Sequence, residues 1–252
     1  TATSRAVNLS SSGPMDPVYL DHHATTPVDP QVASRVADHL RRLHGHPDAA
    51  HRVGREAARR RDEALDACRR MLGCRPDAAI RIGQSATELL AWVHEAFAST
   101  FGSALCVAHP VTAHASVTGA AAAVAAHYGC RQLPLPVDRF GVPDLSPMSP
   151  VPTLLTLSLS NSEVGLAEYA SVTGQLESLS GTPTFVLLDA CQGLGYLSVD
   201  PRHATVTHAT VISAHKFYGP AGIAALSVPD GVWPLPVRQR LTLPQGTPNV
   251  PG

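Results

Sequence analysis

The chain holds a single lysine, Lys216; the other eighteen of its 19 basic residues are arginine. Charge of either sign is sparse, with 15% charged residues and a net charge of -1. That removes any global pull towards nucleic acid or anionic lipid, so neither partner is expected. No apolar run is long enough to span a bilayer. The five cysteines, Cys68, Cys74, Cys106, Cys130 and Cys191, are odd in number and scattered, without a CxxC pair. This fits reduced thiols in the cytoplasm better than the disulfide framework of a small secreted domain. Thirteen histidines, two of them adjacent at His22 and His23, invite a zinc site. No HExxH or paired CxxC accompanies them, so no metal is expected. No repeat of 20–50 residues is found. Residues 1–17 lack the basic-then-apolar order of a signal peptide and read as a disordered leader, with Met15 a candidate natural start.

Apolar residues make up 44% of 252 positions, enough for a substantial core. After Pro30, apolar residues at Val32, Val36, Leu40 and Leu43 predict a helix. "GREAARRRDEALDACRRMLG" predicts a second, stopped by Gly73. Its arginines are interleaved with Asp62, Glu63 and Asp66, which favours a solvated or interface face over a nucleic-acid surface. "AIRIGQSATELLAWVHEAF" and "ALCVAH" followed by "ASVTGAAAAVAAHYG" each read as strand, turn, helix. "PTLLTLSLSNSEVG", "TFVLLDACQG" and "ATVISAHKFYG" each read as an apolar strand ending in polar residues. The alternation predicts an α/β fold: a mostly parallel sheet with helices on both faces, occupying residues 18–230. "LPLPVDRFGVPDLSPMSPVP" reads as a surface connection. The Pro-rich, non-periodic stretch 231–252 reads as a linker-like tail.

In such sheets ligands bind at the carboxyl ends of the strands, and there the chemistry-bearing residues gather. "SATE", at 85–88, opens a helix whose free N–H groups and dipole favour an anion, with the Thr87 hydroxyl adding a bond; an ordinary N-cap is the plain alternative. Asp189 follows "TFVLL", and a carboxylate there needs a cation or donor. Lys216 follows "ATVISAH", and a desolvated lysine can attack a carbonyl as an amine nucleophile. A structural salt bridge and a snorkelling surface lysine are the corresponding plain readings. Taken together, they suit one ligand bearing an aldehyde, a basic ring nitrogen and a phosphate. Lys216 would form the imine, Asp189 would pair with the ring N–H, and Thr87, Ser213 and His215 would hold the phosphate. That ligand is pyridoxal 5'-phosphate (PLP). Imine formation needs a primary amine, which arginine lacks.

"YLDHHATTPVDP", "GREAAR", "SATE", "TAHASV", "NSEVG", "DACQ", "SAHKFYGP" and "GTPNVPG" occur in that order. In them the chain resembles the NifS/IscS-type cysteine desulfurases of the class-V PLP-dependent aminotransferase family, from Val18 to Gly252. The resemblance implies the fold type I large domain with Lys216 as the Schiff-base lysine. It further implies that His114 stacks on the pyridine ring, Asp189 pairs with the ring nitrogen and Gln192 bonds the ring hydroxyl oxygen. Ala86, Thr87, Ser213 and His215 would hold the phosphate, and Thr247 would reach the phosphate of a neighbouring subunit, so a homodimer is implied.

The departures are specific. The family's "NNE" is Asn161, Ser162, Glu163 here, so a shorter serine without an amide stands beside the cofactor hydroxyl and substrate carboxylate. Ser85 replaces a usual glycine, and Pro244 a usual arginine. The small domain that follows "GTPNVP" in the family, with its persulfide cysteine and carboxylate-binding arginine, is not in this sequence. Cys191 reads as packing, and Cys68 and Cys74 as structural. The resemblance therefore implies a desulfurase-like enzyme acting on L-cysteine, with the persulfide thiol from a partner subunit or another segment, and possible contact with a sulfur-acceptor protein. Another PLP-dependent lyase, racemase or aminotransferase, and a non-catalytic PLP-binding scaffold, are the alternatives.

Overall fold

The computed structural model describes residues 18–74, 78–197, 208–229 and 233–242. The expected leader 1–17 falls outside them. Helix α1 (Pro30–Arg42) starts where Asp29 accepts the N–H groups of Gln31 and Val32 and Pro30 supplies a pre-set φ. Helix α2 (Arg52–Met71) ends at Leu72, followed by Gly73 at φ 62. Its arginines pair with Glu56, Glu63 and Asp66 at helical spacing along an exposed face, as the charge interleaving implies.

Then come β1 (Ala79–Gly83), α3 (Ala86–Phe101), β2 (Cys106–Pro110), α4 (Ala115–Tyr128), β3 (Arg131–Leu135) and β4 (Thr153–Ser158). Two short helices, α5 (Glu168–Ser171) and α6 (Thr173–Ser178), lead to β5 (Thr184–Asp189) and β6 (His208–Ser213). Strand β7 (Ala224–Val228) and helix α7 (Leu235–Thr242) complete the described chain. The strands form one sheet in the order β1-β7-β6-β5-β4-β2-β3. Pairing is parallel from β3 through β6, while β7 is antiparallel to both β6 and β1. Six strands therefore point the same way, and their carboxyl ends share one edge.

The pleat sorts side chains between two core layers. Leu154, Leu187, Val211 and Leu226 face α3, α4 and α7, packing with Leu89, Val93, Phe97, Val117 and Trp233. Leu155, Leu157, Val186, Leu188 and Ile212 face the opposite way, onto Tyr169, Val172 and Leu176 of the α5–α6 segment. The expected layering is thus observed. Each fully buried leucine contributes about 1.5–3 kcal/mol relative to exposure.

Two stretches differ from the sequence reading. Residues 133–135, the start of the stretch read as a surface connection, belong to edge strand β3 beside β2. Pro134 is tolerated because an edge strand leaves one row of ladder groups unpaired. Residues 233–242, where prolines suggest a linker, instead hold α7, with Trp233, Val237 and Leu241 in the core. Among the described residues no helix is long and apolar enough to cross a membrane. No group of three or more His, Cys, Asp or Glu side chains among them is arranged to hold a metal ion. All five cysteines are free.

Candidate functional site

At the shared edge, the strand ends surround a cleft of ≈ 500 Å³. Its wall includes Ala86, Thr87, His114, Ser162, Asp189, Gln192, Ser213, His215 and Lys216. These are nine of the ten candidates read from the sequence. The tenth, Thr247, lies outside the described residues.

One end of the cleft is the start of α3. Ser85 caps it by accepting the Glu88 N–H at 3.1 Å, and Glu88 in turn accepts the Gln84 N–H at 2.7 Å. This reciprocal cap satisfies the third helical N–H and leaves those of Ala86 and Thr87 aimed beyond the helix, the usual arrangement for an oxyanion. The serine in place of glycine is thus a helix cap. His114 caps α4, its Nδ1 accepting the Ser116 N–H at 3.2 Å. A nitrogen that accepts carries no proton, so the neutral ring holds its hydrogen on Nε2.

Asp189 ends β5 and is 8% exposed. Its Oδ1 accepts the Cys191 N–H at 3.0 Å. Cys191 also lines the cleft. Burial, then the neighbouring Asp189 charge, push its thiol well above the ordinary range. Ser213 ends β6, and Ala214–Lys216 form a single 3-10 turn. Gly219 closes that loop tightly: a Cβ there would lie 2.7 Å from the Ala214 Cβ. Burial and the Lys216 charge lower the pKa of His215.

A segment that sequence periodicity could not locate completes the site. Residues 23–29 run across the lysine loop. The His215 carbonyl accepts the Thr26 N–H at 2.8 Å and the Thr26 hydroxyl at 3.0 Å. The Tyr218 N–H donates to Thr26 Oγ1 at 2.7 Å, and the Asp29 N–H to the Tyr218 carbonyl at 2.9 Å. This clamps Tyr218 at φ 65, a conformation uncommon outside glycine. The His23 carbonyl accepts both Lys216 Nζ, at 2.5 Å, and Gln192 Nε2, at 2.8 Å.

The opposite wall is the loop after β4. Its organiser is Glu168, fully buried, whose carboxylate accepts the Ser158 N–H at 2.6 Å and Asn161 Nδ2 at 2.9 Å. Burial, the largest influence, raises its pKa. Asn161 spends its remaining amide capacity on the Thr112 carbonyl and the Glu163 N–H. Neither Glu168 nor the structural role of Asn161 follows from the motif alone. An acid at the start of a short helix gives no periodic signal.

The donor set suits PLP. Two free N–H groups at a helix start match a phosphate, a carboxylate on the cleft floor matches a protonated ring nitrogen, and one primary amine matches an aldehyde.

A family model described as "Aminotransferase class-V" matches residues 18–233. A cysteine desulfurase of Cereibacter sphaeroides is 28% identical over 246 residues, covering 94% of this chain and 63% of the relative. The cysteine desulfurase IscS of Rickettsia felis is 28% identical over 228 residues, covering 88% and 54%. The chain therefore spans little more than half the length of these curated relatives. Among solved structures, a NIFS-like protein superposes with TM-score 0.76 at 28% identity, over 85% of this chain and 60% of that one. SspA in complex with cysteine superposes with TM-score 0.73 at 22% identity, over 84% and 61%, a likeness of fold alone. With most of its length matched by that model, the chain belongs to the class-V aminotransferase family, whose members depend on PLP.

Proposed function

We propose that this chain forms the cofactor-binding part of a cysteine desulfurase-like enzyme acting on L-cysteine. The observation that carries the reading is the convergence of Lys216, Asp189 and the free N–H groups of α3 on one cleft. Lys216 would carry the cofactor covalently, and Ala86, Thr87, Ser213 and His215 would hold its phosphate. Asp189 would keep the ring nitrogen protonated, His114 would cover the ring face, and Gln192 and Ser162 would line its hydroxyl edge. When bound, PLP supplies an electron-accepting ring that stabilises negative charge at the α-carbon of an amino acid. Lys216 Nζ, released from the His23 carbonyl, is the group placed to move the α-proton.

Desulfuration also needs a thiolate to take the sulfur. Burial raises the pKa of all five cysteines, so none is a ready thiolate. We assign that role to a partner or another segment. The same observation favours a second reading, a PLP-dependent lyase of this fold, which needs no such thiol. The assembly proposed is a homodimer, with Thr247 reaching the neighbour's phosphate.

The purified protein supplied with PLP should show a near-visible absorption band that borohydride removes and that Lys216→Ala lacks. Addition of L-cysteine should shift the band. Alanine with persulfide or sulfide, on adding a thiol-bearing partner, supports desulfuration; pyruvate with ammonia supports the lyase. Failure to bind PLP refutes both.

A further inference from the structure

We propose that Thr26 is a positioning residue for Lys216, its hydroxyl fixing the lysine turn so that the amine meets the cofactor's aldehyde. The inference rests on the PLP-dependent reading above and adds a residue to it.

Thr26 is buried and is not among the residues that line the cleft. Its hydroxyl acts on the chain to either side of Lys216. Oγ1 donates to the His215 carbonyl at 3.0 Å and accepts the Tyr218 N–H at 2.7 Å. A hydroxyl has a hydrogen to give and lone pairs to accept with, and here it uses both.

The turn needs that hold. Within the Ala214–Lys216 turn, the Ala214 carbonyl accepts the Phe217 N–H at 3.1 Å and the Gly219 N–H at 2.9 Å. The Tyr218 N–H between them takes no part in this closure and goes to Thr26. Tyr218 stands at φ 65, a region that a residue other than glycine keeps only when its surroundings hold it there. Its relaxation would turn the chain just beyond Lys216. Two further bonds of the clamp, from the Thr26 N–H to the His215 carbonyl and from the Asp29 N–H to the Tyr218 carbonyl, run between main chains. They survive a side-chain change at position 26, so the hydroxyl is the part that such a change removes. Thr25 does not duplicate it, since its Oγ1 reaches only His215, at the carbonyl and at ring Nδ1. An amine within the protein outcompetes a free one because it is held in the reacting geometry. Thr26 should therefore set how strongly Lys216 competes for the aldehyde.

The test measures that competition. PLP-loaded protein is equilibrated with increasing methylamine and then reduced with borohydride. Intact mass gives the fraction of chains that carry the cofactor covalently. Methylamine takes the aldehyde as Lys216 gives it up, so the concentration at half-loss reports the effective concentration of the Lys216 amine. Lys216 is the single lysine, which makes the label specific, and Lys216→Ala serves as the blank. Thr26→Val replaces the hydroxyl by a methyl of similar size and should lower the half-loss concentration about tenfold, the worth of one buried hydrogen bond. Thr26→Ala, which has no bulk to clash, should do the same. Thr26→Ser should stay close to the wild type. The readout compares covalent with non-covalent chains in one loaded sample, so a general loss of stability does not move it. An unchanged half-loss concentration in Thr26→Val and Thr26→Ala, or an equal fall in Thr26→Ser, overturns the inference and leaves PLP binding standing. A wild type that takes no borohydride-stable label overturns the underlying reading and this inference with it.

Discussion

Replacing Glu168 by glutamine tests whether one buried carboxylate holds the cleft wall. The carboxylate accepts twice, from the Ser158 N–H and from Asn161 Nδ2. Glutamine offers one accepting oxygen. If that oxygen keeps Ser158, its NH2 group meets the NH2 group of Asn161. Flipping Asn161 does not help, because its Oδ1 already accepts from Glu163 and its Nδ2 donates to the Thr112 carbonyl. One hydrogen bond to a charged group is lost and a buried donor is left unmet, at a cost of roughly 2–3 kcal/mol. For a chain of this size that lowers the melting temperature by about 4–12 °C.

The cost falls on the loop that carries Ser160, Asn161, Ser162 and Glu163 into the cleft. PLP affinity should therefore drop along with stability. Urea unfolding of Glu168→Gln, Asn161→Ala and the double variant forms a cycle. Direct coupling predicts an interaction energy of at least about 1 kcal/mol, because the double variant no longer faces donor to donor. If Glu168→Gln unfolds within about 0.5 kcal/mol of wild type, or if the two single effects add, the carboxylate does not hold the loop through Asn161 and the reasoning is refuted.

Other expectations follow from the same geometry. Lys216→Arg retains a positive charge but no primary amine, so it should show no borohydride-sensitive band in PLP, checked by absorption spectroscopy. His94 is buried, and burial lowers its pKa to about 4. The unfolded chain binds that proton at higher pH than the folded one, so stability is full above about 6.5 and falls as pH drops towards 4. Roughly 3 kcal/mol is at stake, and His94→Leu should remove this acid sensitivity in denaturant titrations across that window. Trp233 packs edge-on against Phe97 at 4.8 Å and is 1% exposed; Trp233→Ala should cost about 3–5 kcal/mol by chemical denaturation. Ser85→Ala should cost about 1 kcal/mol through loss of the α3 cap, again read from denaturation midpoints.

Legibility in the sequence tracked the range of the interaction. The β5 run "TFVLL" and the β6 run "ATVIS" announce buried strands because their signal is local, and the polar residue following each is then at the sheet edge by necessity. Asp189 and Lys216 were legible for that reason: each stands within three residues of a strand end that patterning could locate, whereas Gln192 was reached only through the family resemblance. The segment around His23 was visible only as the motif "YLDHHATTPVDP"; its contacts with Gln192 and Lys216 were not, because they join residues 169 and 193 positions apart and leave no periodic trace. Edge strand β3 was hidden by Pro134, which reads locally as a breaker and is harmless at an unpaired edge. Helix α7 was hidden because only eight residues long, with a proline in its first turn, it shows too few turns for a period; Trp233 beside it is held by packing on Phe97. The family resemblance supplied the roles of the strand-end residues but not Glu168, whose importance arises from burial beneath the cleft. What separates the legible half of this site from the other half is therefore whether a residue's position is set by its neighbours in sequence or by a partner reached only through the fold.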